Sequence, residues 1–221
     1  MRKVGMPGPR APEEERREQI LGAAHEVALR SGIDSVTLRA VAAEAKLSHG
    51  LVIFYFKRKD QLIDAILDRT LMTTAMLDVP DEIARIAQPA ERLSRLVDEE
   101  LERLMHDPRG IRLFFEYWAL GVRHAAIRDR IGAAMERYRA AFRKLAEDLL
   151  PESASEGRSL TPDSFAALAV SLINGFAVQS MLAPGRFDSA AYATAVRGLI
   201  EQIASGADSG RPPRTLRAQP V

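Results

Sequence analysis

The sequence predicts an all-α fold in two parts, and three observations predict it. Apolar residues recur at three- and four-residue steps in almost every segment, the pattern of helices with one buried face. No stretch sustains an apolar–polar alternation between turn signals, so strands are not expected. Helix punctuation is frequent as well: Asp107-Pro108 and Thr161-Pro162 each set a capping side chain ahead of a proline at the first helical position, and Gly32 and Pro184-Gly185 fall where helices should stop. The 221 residues suffice for one large domain or for a small domain joined to a larger one, and 47% apolar with 28% charged residues is the balance of a globular chain.

Taken in order, the first helix is expected from Glu13 to Ser31, with Ile20, Ala24, Val27 and Ala28 facing inward and Gly32 just past its end. Two short helices follow, Leu38 to Ala45 and His49 to Tyr55, preceded by the caps Thr37 and Ser48. A fourth opens at Lys59 and carries Leu62, Ile63, Ile66, Leu67 and Leu71. Beyond Val79 and Pro80 the helices lengthen. Asp81 to Ala87 reads as a short connector, and Pro89 opens a helix striped by Leu93, Leu96, Val97, Leu101 and Leu104. Ile111 to Val122 is apolar around most of its circumference, through Phe114, Phe115, Tyr117 and Trp118 among others, which predicts a helix covered on nearly all sides. Ile127 to Leu150 carries Ile131, Met135, Tyr138, Phe142, Leu145 and Leu149 until Pro151 stops it, and Glu152 to Leu160 reads as a polar loop. Thr161 and Pro162 open the helix of Phe165, Leu168, Leu172, Ile173, Phe176 and Met181, and a last helix is expected from Asp188 to Ser205. The predicted boundaries are a disordered basic arm over 1–12, a first domain over 13–58, a second over 59–205 and a disordered tail over 206–221.

The charge is unevenly placed. Residues 1–59 carry eleven Lys and Arg against seven Asp and Glu, whereas 60–221 carry twenty against twenty-three. No acid lies between Glu44 and Asp60, a span that holds Lys46, Lys57, Arg58 and Lys59. Such a segment is either a solvated basic face or a docking place for a polyanion. The helices inside it favour the polyanion. Two short helices joined by a tight turn at Lys46 and Leu47 suit duplex DNA, because the second can enter a major groove while the first braces it. Ala42 allows their close crossing, and Val41, Leu47 and Val52 supply the apolar contacts that set the angle.

The stretch Thr37 to Leu62, TLRAVAAEAKLSHGLVIFYFKRKDQL, resembles the TetR (tetracycline-repressor) family through Thr37, Arg39, Ala42, Ser48, Gly50, Tyr55, Phe56, Lys59, Asp60 and Leu62. The usual Tyr in the middle of the third helix is Ile53 here, which removes one phosphate contact, and SHGLVIFYF is similar to the branch containing the choline-responsive betaine-pathway repressor. The resemblance implies an N-terminal three-helix helix-turn-helix DNA-binding domain and a C-terminal helical ligand-binding and dimerisation domain. Carried onto this chain, it implies that Thr37, Ser48, Tyr55 and Lys59 hold phosphates, that Arg39, His49 and Leu51 face base edges, and that Gly50 lets the backbone approach the DNA. A second reading stands beside it: Phe54 and Tyr55 pack against the first helix, and Thr37 and Ser48 only cap.

The same resemblance implies a homodimer on a palindromic double-stranded operator, paired through the helices at 127–150 and 165–183, where Ala169, Gly175 and Ala177 permit close approach. The alternative is that both apolar rows pack inside one chain. It also implies a small, mostly apolar effector that releases the DNA, with walls expected from Leu104, Phe114, Trp118, Met135, Tyr138, Phe142 and Phe176, polar groups from Glu116, Arg123, His124, Asn174 and Gln179, and the fourth helix as lever. Enzyme chemistry is not expected. The four histidines lack metal-ligand spacing, and no cofactor motif, phosphate loop or nucleophile elbow occurs. Zero cysteines exclude disulfides, thiolate catalysis and cysteine-bound zinc, and fit a cytoplasmic protein. Met1 to Pro12 reads as neither secretory signal nor anchor, and no apolar stretch is expected to span a bilayer. The remaining competitor is an architectural DNA-binding protein without sequence preference.

Overall fold

Capping residues and prolines start the helices close to where the sequence places them. The computed structural model describes residues 12–74, 79–150 and 160–209, and every regular element among them is helical. In chain order these are α1 (Glu13–Ser31), a 3-10 turn (Ile33–Ser35), α2 (Leu38–Ala45), α3 (His49–Tyr55), α4 (Lys59–Thr74), α5 (Asp81–Ala84), α6 (Pro89–His106), α7 (Pro108–Gly121), α8 (Ala125–Leu149), α9 (Pro162–Leu182) and α10 (Ser189–Ser209). Expectations for 1–11, 75–78, 151–159 and 210–221 lie outside the described residues. The last helix continues four residues beyond the expected Ser205.

The described helices cluster into two compact units, residues 12–74 with 109–131, and 79–108 with 132–150 and 160–209. In the first, α1 packs on α2 and α4, and α2 on α3. Ile20, Ala24, Val27 and Ala28 line the buried face of α1, and Leu62, Ile66, Leu67 and Leu71 that of α4. Ala42 is buried, as a close helix crossing demands. Thr70 is fully buried in this unit, and its Oγ1 donates to the Ile66 carbonyl at 2.8 Å. α7 joins the same unit although it lies far along the chain. Leu113, Phe114 and Tyr117 are buried, yet Trp118 is 38% exposed and Val122, just past the helix, 73%, so the segment Ile111 to Val122 is not covered on nearly all sides as its composition suggested. Arg112 and Glu116 interrupt its apolar surface, and their charges need water or partners.

In the second unit α6 packs on α5, α9 and α10, through the stripe Leu93, Leu96, Val97, Leu101 and Leu104. Buried Glu100 breaks that stripe. Its carboxylate accepts from the Tyr138 hydroxyl at 2.8 Å and from the Arg103 guanidinium at 2.6 Å, so the buried charge is paired and hydrogen-bonded. Burial first, and the neighbouring carboxylate second, push the Tyr138 phenol well above its ordinary range. α9 opens with a capping box, Thr161 and Ser164 each accepting from the other's backbone N–H. α9 is long and apolar enough to cross a bilayer, by length and composition alone, a length the sequence reading did not expect of any apolar stretch; Asp163 is its one charge. Part of that apolar surface is core, since Phe165, Ala169, Ile173 and Phe176 are buried.

Candidate nucleic-acid interface

The helix-turn-helix is held from behind by α1. α2 ends at Lys46, the one non-glycine residue with positive φ (56°) among the described residues, and the Leu47 N–H returns to the Ala42 carbonyl at 2.9 Å, closing the turn. Gln19 Nε2 donates to the Ala45 carbonyl at 3.1 Å, which satisfies an orphan acceptor at the end of α2. Arg17 serves α3 in the same way, reaching the Tyr55 carbonyl at 3.4 Å while its guanidinium lies 4.4 Å from the centre of the buried Phe56 ring. Sequence reading missed both residues. Neither belongs to a capping motif, and each acts across 26 or more positions of chain.

Of the residues expected at the DNA, Thr37, Arg39, Ser48, His49, Gly50 and Lys59 are exposed, while Leu51 and Tyr55 are half-buried. Thr37 and Ser48 do cap: their hydroxyl oxygens accept from Ala40 N at 3.1 Å and Leu51 N at 3.2 Å. Capping uses an oxygen lone pair and leaves each hydroxyl proton free for a phosphate, so the two roles do not compete. Lys59 Nζ donates to the Asp34 carbonyl at 3.3 Å, an exposed contact that a phosphate can replace. Phe54 is not packed against α1 but 70% exposed, with its ring edge-on to Tyr55 at 5.2 Å. Only Val52 anchors α3 by complete burial, so the helix shows most of its circumference to solvent. Glu44, one of the two acids that bound the basic segment, is paired with Arg30 at 2.6 Å, and that hydrogen bond holds its carboxyl below the usual carboxylate range.

α7 fixes the back of this unit through main-chain contacts. Glu116 accepts from the Ile33 N–H at 2.8 Å, Arg112 donates to the Leu29 carbonyl, and the Tyr117 hydroxyl donates to the Ile63 carbonyl at 2.7 Å. Burial pushes the Tyr117 phenol far above its ordinary range. Arg130 completes the set, donating to the Asp64 carbonyl at 2.8 Å and pairing with Asp64 and Asp68. Glu116, expected as a polar group of an effector pocket, is thus occupied by the 3-10 turn.

Two concavities of the second unit bear on an effector. An apolar seam of about 20 Å³, room for about one water, lies among Leu101, Phe165, Ile173, Tyr192, Val196 and Ile200. A more open cleft of about 290 Å³ is bordered by Arg95, Asp98, Glu102, Met105, Phe176 and Arg197, with Arg197 and Asp98 paired at 2.9 Å. Of the expected effector-wall residues, Phe176 borders the open cleft; Leu104, Met135, Tyr138 and Phe142 are buried in this unit, and Phe114 and Trp118 belong to the other.

A short outward-facing helix braced by a second, an acid-free basic flank and a separate helical unit together define a helix-turn-helix DNA-binding regulator. Residues 20–66 match the family model described as bacterial regulatory proteins of the tetR family, and residues 89–205 match the C-terminal domain of BetI-type transcriptional repressors. The chain belongs to the tetR family, and it is a DNA-binding transcriptional repressor of the BetI type. It is 30% identical over 188 residues to an HTH-type transcriptional regulator from the dhlA 5′ region of Xanthobacter autotrophicus, covering 84% of this chain and 89% of that one. To the BetI regulator of Paraburkholderia phymatum it is 27% identical over 191 residues, 86% and 91% of the two chains. A transcriptional regulator from Saccharomonospora viridis, solved in complex with choline, shares the fold with a TM-score of 0.69 at 23% identity, covering 86% of this chain and 97% of that one. The matched families and relatives are regulators, not enzymes.

Proposed function

We propose that the protein works in the cytoplasm as a homodimer on a palindromic operator and lets go of the DNA when a small, mostly apolar effector binds. The observation that carries the dimer is the outward face of α9. Leu168 (40% exposed), Ser171, Gly175, Gln179 and Leu182 (74%) follow one another along it without a charge, and Ala191, Ala195 and Leu199 (38%) continue the pattern on α10. An uncharged surface of that length is costly in water and is suited to a symmetry copy. The outward face of α8, by contrast, carries Glu136, Arg137, Lys144, Glu147 and Asp148. The proposal therefore keeps the 165–183 helix of the sequence reading and replaces 127–150 by α10.

On each half-site, Thr37, Ser48, Tyr55 and Lys59 hold phosphates, Arg39, His49 and Leu51 meet base edges, and Gly50 admits the backbone. For the effector, Leu104 lies one turn beyond Glu100 on α6, and Met135 and Phe142 flank Tyr138 on α8, which puts three apolar side chains beside a buried polar pair. Phe176 is the remaining wall expected in this unit. An effector with about 1–3 kcal/mol of preference for the DNA-free form lowers operator affinity by about 5–150-fold. Selection of bound fragments from random DNA tests the reading: it should enrich a palindrome whose half-sites lie about 34–36 Å apart, preferred over bulk DNA by about 10³–10⁷. Binding without sequence preference would make the protein an architectural one instead.

A further inference from the structure

α3 makes seven residues, and Val52 is its sole fully buried position. At 3.6 residues per turn, positions two before and two after Val52 lie on the side opposite it, so Gly50 and Phe54 form the outermost line of the helix. Gly50 offers no side chain there, and a Cβ built on it meets nothing within 4 Å. Side chains on a helix lean toward its N-terminus, so the Phe54 ring covers the surface over the turn that Gly50 leaves bare. The ring is 70% exposed, and Ile53 beside it is 40% exposed. Lys46, Lys57, Arg58 and Lys59 stand exposed on either side in the sequence.

An aromatic ring without a polar atom has few partners in a major groove. Base edges there present hydrogen-bonding atoms and a single apolar group, the thymine 5-methyl. We propose that Phe54 is a specificity-determining residue that packs on the 5-methyl group of one thymine in each operator half-site. The proposal rests on α3 entering the major groove, and it adds an apolar contact that neither Arg39 nor His49 can make and that is separate from the one open to Leu51. It also gives the exposed ring a use: apolar surface left in water by the free protein becomes buried when the operator is bound.

The experiment uses duplexes enriched by the native full-length protein, resynthesised with each thymine in turn replaced by deoxyuridine in both half-sites, and measures Kd for the native protein and for Phe54→Ala. At one position the native protein should lose about four-fold per half-site, the worth of one buried methyl group. Phe54→Ala should bind the unsubstituted duplex more weakly and be indifferent to uridine at that position, with an unchanged helical circular-dichroism spectrum because the ring is exposed. Native protein indifferent to every replacement, an equal loss in both proteins at every thymine to which the native protein is sensitive, or enriched half-sites without thymine would each overturn the assignment. Enriched sequences lacking a palindrome would sink the homodimer reading alone, leaving the thymine comparison intact.

Discussion

Gly32 shows how a single residue couples distant parts of the first unit. Its φ of 82° and ψ of 168° fall in a region open essentially to glycine alone, and a Cβ there would lie 3.1 Å from Glu116 Oε2. The same carboxylate accepts the Ile33 N–H, so the absent side chain and the hydrogen bond are two halves of one arrangement. Gly32→Ala should cost about 1–3 kcal/mol, read as a lower urea midpoint with an unchanged slope. A loss below about 0.5 kcal/mol would mean that the turn relaxes freely and that Glu116 does not hold it. Glu116 also illustrates a limit of pattern reading. A carboxylate on an apolar helix attracted a pocket assignment, whereas its partner, 83 positions away, is a backbone N–H that carries no residue-type signal.

Individual helices were the most legible level. α2 and α3 span the residues read from caps and periodicity, because Thr37 and Ser48 act on N–H groups three positions ahead. α9 belongs to the same class: Thr161, Pro162 and Ser164 start it through contacts within one turn. Thr161→Ala should therefore destabilise the protein by about 1 kcal/mol, measured by thermal or urea unfolding, while operator affinity stays unchanged. A change in operator affinity at equal stability would give this cap a role that its geometry does not explain. The circumference of a helix was less legible than its ends. Composition implied that α7 was covered nearly all round, but whether Trp118 meets protein or solvent depends on where other helices lie, not on its own neighbours in sequence.

At the scale of the whole molecule, α7 is grouped with the four N-terminal helices although 33 residues separate it from α4 in the chain. Tyr117, Arg112 and Glu116 make that grouping, all through main-chain atoms of α1, the 3-10 turn and α4. The uncharged outer face of α9 carries the prediction at this scale. Leu168→Glu should leave the helical spectrum in place, give a monomer by light scattering, and bind a palindromic duplex far more weakly, because a single helix-turn-helix buries too little DNA for tight binding. A Leu168→Glu protein that remained dimeric would move the symmetric contact elsewhere.

The sequence by itself determined the helices, their starts, the helix-turn-helix and the kinship it implies, since caps, prolines and three- to four-residue periodicity operate within a turn or two of chain. Only the tertiary structure decided that Phe54 faces solvent, that Glu116 bonds the 3-10 turn, and that α9 and α10 each carry an exposed row of uncharged residues. Which side of a helix is covered is settled by residues brought together from remote parts of the chain, and a local pattern carries no information about them.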